Sequence, residues 1–464
     1  MKACIALAAL LAALPARAAE EAPESPFSES SKSYLIPALE IVAFDALLNV
    51  YDRNHFGCCD FDSNIHSIRR NLRSSWVVDR DPFLVNQVGH PYQGAMYHNF
   101  ARSAGLNYWE GLGYTFLASA MWEIAGETTP PSRNDQVNTG IGGSFFGEAL
   151  FRTASLVLEH PGDMPKWARE VTAALISPPT GVNRLAFDRF RGIFPSHDPL
   201  YFVRGSIGFS GTTNDRSGTT STTGLHRDEA LVDFLIDYGL PGKENYRYTR
   251  PFDYYSLQAT ASSANGFENM LVRGLLIGRE YDAGQSYHGV WGLYGNYDYI
   301  APQTYRVSST GLSLGTTAQW WIDERWRLVG TVTAGLGYTA AGVTGTGNPD
   351  PAVDNEYHYG VAPQGLVALR FVYRDRAALD VAAREYYVTR PAGTSREGNV
   401  NVTRLEAALT YRLTGHHAVS VRYLFNERNA SFLDLGGGTQ RRGTVGLFYT
   451  YLGHDLFGAE KMPR

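Results

Sequence analysis

Residues 403–426 read TRLEAALTYRLTGHHAVSVRYLFN, and this stretch decides the fold class of the second half of the chain. Apolar and mostly polar residues alternate in its first part: Leu405, Ala407, Leu409 and Tyr411 are separated by Glu406, Ala408, Thr410 and Arg412. After Gly415 the alternation returns in Val419, Val421, Tyr423 and Phe425. A period of two is typical of β-strands with one apolar face, so two strands joined by a short turn are predicted.

The same alternation recurs from about residue 201 to residue 452. It predicts strands of about ten residues, the length that crosses a bilayer at a tilt. Aromatic residues gather at strand ends, as at Trp320 and Trp321, which is typical of interfacial girdles. Twelve strands are predicted, beginning near Tyr201, Asp228, Arg250, Asn269, Tyr287, Tyr305, Arg325, Pro363, Ala377, Thr403, His417 and Arg442.

The connections alternate in length. The long ones are rich in Gly, Ser, Thr, Pro and Asn: 210–225, 259–267, 297–303, 341–359, 389–402 and 427–440. Four of those between them are short, 281–286, 322–324, 374–376 and 413–416, and only 240–249 is longer. Outer-membrane barrels alternate long outer loops with short periplasmic turns in this way. The fold class is therefore α+β: a polar helical domain, described below, followed by an antiparallel transmembrane β-barrel.

Two partners follow from the barrel, namely outer-membrane lipid and the barrel assembly machinery. The segment 444–451, TVGLFYTY, resembles the terminal-strand motif that this machinery reads, although a predicted periplasmic tail, 453–464, follows the barrel. Charged residues on or near the inward register allow two interpretations, a network of paired lumen charges or a selective pore or ligand pocket. They are Asp233, Asp237, Arg370, Arg374, Asp380, Arg384, Glu406, Arg412 and Arg422.

The first residues predict export. Lys2, an apolar run over 5–14 and Ala16-Arg17-Ala18 form a cleavable signal peptide over 1–18, and residues 19–33 predict a disordered linker. The predicted location is the bacterial outer membrane. The chain carries 41 Lys and Arg against 46 Asp and Glu, which disfavours a nucleic-acid partner, and its three cysteines exclude a disulfide scaffold.

Residues 34–195 predict a helical domain. Helical spacing is found over 34–51, 94–103, 108–125, 136–158 and 165–176. These helices contain Glu40, Asp45, Glu123, Glu148 and Arg152, and are too charged to cross lipid. We expect at least part of this domain to lie in the periplasm.

An ordered series of motifs runs through this domain. It comprises Asp81-Pro82-Phe83, Asn86-Gln87, Gly89-His90-Pro91-Tyr92-Gln93-Gly94, Tyr97, Ala101-Arg102, Ser119-x-x-Trp122-Glu123, Glu127, Pro131-Ser132, Asn134-Asp135, Thr139, Gly142-Gly143, Gly147-Glu148, Arg152 and Asn183-Arg184. Over about 35–190 the chain resembles the bacterial DUF3943 family, an exported family of outer-membrane type. The resemblance implies architecture and no activity.

Four residues of this domain are candidate catalytic groups: His90, Glu123, Glu127 and Asp135. On a continuous helix Glu123 and Glu127 share one face, so the cluster could bind a metal or share a proton. The alternative is pairing with Arg102, Arg133 and Arg152, which a buried carboxylate requires. Since His-Glu-x-x-His and Cys-x-x-Cys are absent from the sequence, we predict no metal and no cofactor.

Candidate binding residues are Asn86, Gln87, His90, Tyr92, Arg102, Trp122, Glu148 and Arg152. Gly143 and Gly147 predict a close helix contact, and Ser132 or Asp135 is the predicted cap of a helix. The adjacent Cys58 and Cys59 form either a vicinal disulfide or a plain loop pair.

Three functions remain open on the sequence. The first is a non-enzymatic outer-membrane barrel with a periplasmic or plug-like helical domain that serves envelope organisation, ligand binding or transport. The second is an envelope enzyme that acts on lipid or cell-wall material through the His90 cluster. The third is a purely structural domain that closes the barrel base.

Overall fold

The structure is a computed structural model that describes residues 32–55, 59–79, 81–160, 162, 164–217, 227–343, 357–392, 398–432, 436–453 and 456–459. It divides into two compact units, Met1–His197 and Asp198–Arg464. The predicted signal peptide, most of the predicted linker and Cys58 lie outside the described residues, and nothing is described of the Cys59 side chain.

The first unit is helical. Its described α-helices are α1 (Leu35–His55), α2 (Ile65–Asn71), α3 (His90–Ser103), α4 (Tyr108–Met121), α5 (Arg133–Val137), α6 (Gly143–Glu159), α7 (Lys166–Ile176) and α8 (Pro178–Ala186). Three π-helical segments adjoin them: Val85–Gly89, Trp122–Gly126 and Asn138–Gly142. No helix among the described residues is both long and apolar enough to cross a membrane.

Glycines bring α3 and α6 together. A Cβ at Gly143 would lie 2.6 Å from the Cα of Gly94, and one at Gly147 would lie 3.0 Å from the Cα of Ala95. The predicted close helix contact at Gly143 and Gly147 is thus confirmed. Ser132 is confirmed as the N-cap of α5, because its Oγ accepts a hydrogen bond from the backbone N–H of Asp135.

The second unit is a closed antiparallel barrel of twelve strands in which each strand pairs with its chain neighbours and β1 pairs with β12. The strands are β1 (Tyr201–Ser217), β2 (Asp228–Tyr238), β3 (Tyr255–Ser262), β4 (Asn269–Ala283), β5 (Tyr287–Ile300), β6 (Tyr305–Trp321), β7 (Trp326–Val343), β8 (Tyr357–Tyr373), β9 (Ala377–Ala392), β10 (Gly398–Thr414), β11 (His417–Phe432) and β12 (Gly436–Leu452). The predicted fold class and the predicted strand count are confirmed.

The two faces of the barrel are inverted relative to a water-soluble protein. Its outer face exposes large apolar side chains, including Leu314, Leu336 and Leu447, each at least 58% exposed. Its inner face buries polar ones, such as Thr317, Gln319 and Arg422. A closed barrel satisfies every strand edge without water, and an apolar exterior around a polar interior is the arrangement that a bilayer requires. The second unit is therefore a transmembrane β-barrel.

The predicted strand length of about ten residues is wrong for most strands, because β3 has eight residues but β7 has 18. Main-chain pairing continues beyond the segments in which apolar and polar residues alternate, so the alternation in the sequence covers only part of each strand. Strands β8, β10 and β12 consequently begin earlier than predicted. Strand β3 begins later, since the Asp253 carboxylate accepts hydrogen bonds from the N–H groups of Thr249 and Arg250 and holds them in a turn.

Part of the predicted tail packs against the barrel. Phe457 is 1% exposed and stacks on Phe202 with ring centroids 6.0 Å apart. Arg327 donates a hydrogen bond to the carbonyl of Leu456 at 2.6 Å, and the Arg412 guanidinium lies over the Phe457 ring. This segment, 456–459, thus closes the apolar layer at the end of the barrel where β1 begins.

Phe457→Ala should destabilise the barrel by about 3 to 5 kcal/mol, because it leaves a cavity in this layer. Urea unfolding in lipid vesicles measures the change. Phe267→Ala, which alters a partly exposed loop residue, is the control, and we expect it to change stability by less than about 1 kcal/mol. Equal stabilities for the two variants would contradict the packing role of Phe457.

Candidate functional site

Three π-helical segments border one buried site in the helical unit. His90 directly follows Val85–Gly89, Glu123 belongs to Trp122–Gly126, and Thr139 belongs to Asn138–Gly142. A π-helical turn widens the backbone and redirects side chains, and such turns are frequent at functional sites. Three of them around one group of side chains identify this group as a candidate site.

His90, Glu123 and Asp135 converge here. One potential ligand atom from each lies within 4.8 Å of those of the other two. His90 Nε2 is 3.8 Å from Asp135 Oδ1. All three side chains are buried, with exposed fractions of 5%, 1% and 1%.

Neutral groups orient these three side chains. Thr139 Oγ1 lies 3.2 Å from His90 Nδ1, which leaves Nε2 facing Asp135. The backbone N–H of Ser132 donates to Glu123 Oε2 at 2.8 Å. The other carboxylate oxygen, Glu123 Oε1, is buried and has no hydrogen-bond partner among the described residues.

Two further carboxylates, Asp79 and Glu127, border the cluster. Asp79 accepts hydrogen bonds from Asn86 at 2.6 Å and from Asn134 at 2.7 Å. An isolated bridge between Val77 and Ser132 brings this loop alongside α5. Sequence reasoning missed Asp79, because it lies outside any periodic segment and its only signal was a nearby acid, Asp81.

Glu127 departs from the prediction. The helix that carries Glu123 ends in its π-helical turn, and Glu127 has extended backbone, so the expected shared helix face does not exist. The Trp122 indole donates to Glu127 Oε1 at 2.7 Å, and Thr129 donates to Oε2 at 3.1 Å. Glu127 therefore borders the cluster of His90, Glu123 and Asp135 and is not part of it.

Burial governs the electrostatics of the cluster. It raises the pKa of Glu123 well above its usual range, and the nearby Glu127 charge adds to the effect. Burial and the Asp79 charge likewise raise the pKa of Asp135, whereas burial lowers the pKa of His90. Each group thus favours its neutral form, and a buried set of this kind can share protons or hold a cation.

A second buried cluster is compensated by arginines. Glu148 pairs with Arg102 at 2.6 Å, with Arg152 at 2.9 Å and with His98 at 3.0 Å. Burial alone would raise the pKa of Glu148, but Arg102, His98 and Arg152 outweigh it and hold this pKa well below its usual range.

The predicted arginine pairing is therefore found for Glu148 and not for the candidate catalytic group. Arg133 is exposed, and Glu123 and Asp135 have no Lys or Arg within 4.0 Å among the described residues. The predicted binding residues divide accordingly. His90 belongs to the first cluster, and Asn86, Gln87 and Trp122 lie beside it. Arg102, Glu148 and Arg152 form the second, whereas Tyr92 is 46% exposed and packs on Phe146.

The barrel lumen holds a third set of charges. Arg204 and Arg422 lie 3.4 and 3.1 Å from Asp233, and Arg370 lies 2.6 Å from Asp380 and 3.0 Å from Asp237. The predicted network of paired charges is therefore present. Arg374, predicted on or near the inward register, lies in the exposed turn directly after β8 and takes no part in this network.

Arginines outnumber carboxylates at buried or half-buried inward positions of the described residues. The seven carboxylates are Glu229, Asp233, Asp237, Glu268, Asp298, Asp380 and Glu406. The ten arginines are Arg204, Arg273, Arg327, Arg370, Arg384, Arg404, Arg412, Arg422, Arg428 and Arg442. The excess leaves the described part of the lumen cationic, and a cavity of about 20 Å³ lies between Glu229, Arg404 and Arg442.

Glu148→Gln should destabilise the helical unit by about 3 to 5 kcal/mol, because two buried arginines lose their opposing charge. Hydrogen exchange of peptides from α3 and α6 in the full chain measures the loss. Arg133→Gln, at an exposed arginine, should change protection by less than about 0.5 kcal/mol. Wild-type protection in Glu148→Gln would refute the structural role of this cluster.

The buried carboxyl group of Asp45 leads us to predict that the stability of α1 depends on pH. Burial raises its pKa to about 7, although Tyr97 donates a hydrogen bond to it. Because the pKa of Asp45 is higher in the folded state than in the unfolded state, the folded state binds the proton more tightly. Stability therefore falls as the pH rises from about 4 to about 7.

We expect α1 in the wild type to be more stable at pH 5 than at pH 8 by about 2 to 3 kcal/mol from this group. Asp45→Asn keeps an oxygen acceptor for Tyr97 and removes the titration. Hydrogen exchange of α1 peptides, corrected for intrinsic rates, compares the two proteins at both pH values. The same pH dependence in Asp45→Asn would show that another group is responsible.

Comparisons with known proteins concern both units. Residues 75–179 match the family described as "Domain of unknown function (DUF3943)". A search of curated proteins finds no significant match.

Among solved structures, the chain is similar to the outer membrane channel DcaP of Acinetobacter baumannii, with 9% identity, a TM-score of 0.25, and coverage of 54% of this chain and 96% of that chain. It is also similar to the COG4313 outer membrane channel from Pseudomonas putida F1, with 9% identity, a TM-score of 0.30, and coverage of 55% and 96%. TM-scores this low transfer no function to this chain. Residues 75–179 thus match the DUF3943 family, and they precede a transmembrane β-barrel of twelve strands.

Proposed function

We propose that the protein lies in the outer membrane of a bacterial cell and binds or conducts small anionic solutes in its barrel lumen. The observation that carries this proposal is the excess of arginines over carboxylates on the inward face. Arginine-lined pores favour anions because the ion exchanges its hydration shell for fixed guanidinium groups.

Several of these arginines lack a carboxylate partner within the part of the chain that the structure describes. Among the described residues, Arg273, Arg327, Arg384 and Arg428 have no carboxylate oxygen within 4.0 Å. Arg273 instead donates to Asn296, and Arg428 donates to Gln440. A lumen that served only to fill the barrel would balance its charges, because an unpaired buried charge destabilises the fold.

The barrel supports the remaining parts of the proposal. Its apolar exterior supports contact with membrane lipid, and the β12 segment 444–451 supports insertion by the barrel assembly machinery. Export by a signal peptide at 1–18 belongs to the same proposal. In this proposal the described lumen is a closed state, held by the ion-pair network and by the segment 456–459. Conduction requires these contacts to break.

Planar-bilayer recording of the full chain in a potassium chloride gradient tests the proposal. We expect openings whose reversal potential indicates preference for chloride over potassium. The double variant Arg273→Gln and Arg384→Gln should reduce the permeability ratio by roughly twofold or more, because it removes two lumen charges. Arg374→Gln, in an exposed turn, is the matched control and should match the wild type.

Two results would refute this function. The first is cation preference in the wild type. The second is the absence of both conductance and anion binding, the latter measured by tryptophan fluorescence during phosphate titration.

One observation supports the enzymatic alternative, namely the convergence of His90, Glu123 and Asp135. Their burial opposes it, because an extended lipid or glycan cannot reach side chains that are at most 5% exposed. Cells that express His90→Ala or Glu123→Ala in place of the wild type test it. An altered lipid or cell-wall profile, with folding retained, would favour the enzyme.

A further inference from the structure

We propose that His90, Glu123 and Asp135 bind one first-row divalent cation, zinc or manganese, in the interior of the helical unit. This inference is independent of the solute that the barrel handles.

The strongest evidence is an unsatisfied oxygen. Glu123 is 1% exposed, and its Oε1 has no hydrogen-bond partner among the described residues. A carboxylate oxygen of Glu123 lies within 4.8 Å of ligand atoms of both His90 and Asp135. A buried carboxylate oxygen without a donor is costly, and a cation at this point would remove the cost.

The donor set suits such a cation. One imidazole nitrogen and two carboxylate oxygens are ligands that zinc and manganese accept, whereas magnesium and calcium prefer oxygen alone. With zinc–ligand distances of about 2.1 Å, neighbouring ligand atoms lie about 3.4 Å apart. His90 Nε2 and Asp135 Oδ1 are 3.8 Å apart, and the ligand atoms of all three residues lie within 4.8 Å of one another. A contraction of at most about 1.4 Å between any two of them would therefore reach this spacing.

Each proposed ligand also has an orienting partner, as metal ligands usually do. Thr139 lies on His90 Nδ1 and leaves Nε2 for the cation. The Ser132 N–H holds Glu123 Oε2, and the Asn134 amide donates to Asp135 Oδ1 at 3.0 Å.

The comparison with Glu148 shows how differently the buried carboxylates of this unit are compensated. Two arginines compensate Glu148, but within the described chain neither Glu123 nor Asp135 has a Lys or Arg within 4.0 Å. Without a basic partner among the described residues, a bound cation or a set of shared protons would neutralise these carboxylates. Metal binding separates them.

The test uses the full chain, free of affinity tags, in detergent. It is stripped with EDTA and titrated with zinc chloride or manganese chloride alone. We expect one equivalent of bound metal, measured by inductively coupled plasma mass spectrometry after gel filtration. Glu123→Gln and Asp135→Asn should each weaken binding about 100-fold or more, whereas Thr139→Val, which alters only an orienting group, should weaken it about tenfold.

Asp45→Asn is the matched control, because it replaces a buried carboxylate of the same unit outside the cluster and should bind metal like the wild type. Hydrogen exchange verifies that each variant keeps its fold. If Glu123→Gln does not fold, Thr139→Val still decides the question. A wild type that binds neither metal would overturn the proposal in favour of shared protons, and so would folded variants that bind as tightly as the wild type.

Discussion

The barrel depends on one constraint, that every strand must pair along both edges because lipid offers no hydrogen bonds to the backbone. Closure between β1 and β12 satisfies this constraint for the first and last strands. It also fixes which residues face inward, since the register Ser206 to Thr450 places both hydroxyls in the lumen 3.1 Å apart. The apolar exterior and the charged interior both follow from this pairing.

Both units contain buried charged side chains, but the two units compensate these charges differently. In the described part of the lumen, most guanidinium groups lie close to carboxylates or to neutral oxygens, and arginines outnumber carboxylates. In the helical unit, Glu148 has its arginines, while the cluster of His90, Glu123 and Asp135 has none within ion-pair distance among the described residues. An excess of arginines in the described lumen and two buried carboxyl groups without an arginine partner in the described helical unit are what a stable fold alone does not explain. Both functional proposals rest on these two observations.

Local signals in the sequence predict those features of the structure that depend on a single helix or strand. The period of two identified the strands, and eight of the twelve begin within one residue of the predicted start. Ser132 as a helix cap and the glycines of α6 were also identified, because capping and close approach depend on the residue type itself. Glu127 was misplaced, because the π-helical turn before it changes direction without a recognisable sequence signal.

By itself, the sequence determined the class of each half of the chain, the strand count and the residues of the inward register, since a strand's alternation is a local property. Only the tertiary structure decided which charges meet. The choice of Glu148 and not Glu123 as the partner of Arg102 depends on how α3 crosses α6, and the position of Asp79 depends on a bridge across 55 residues from Val77 to Ser132. Such pairings join segments distant in sequence, and a one-dimensional pattern carries no information about the angle at which they cross.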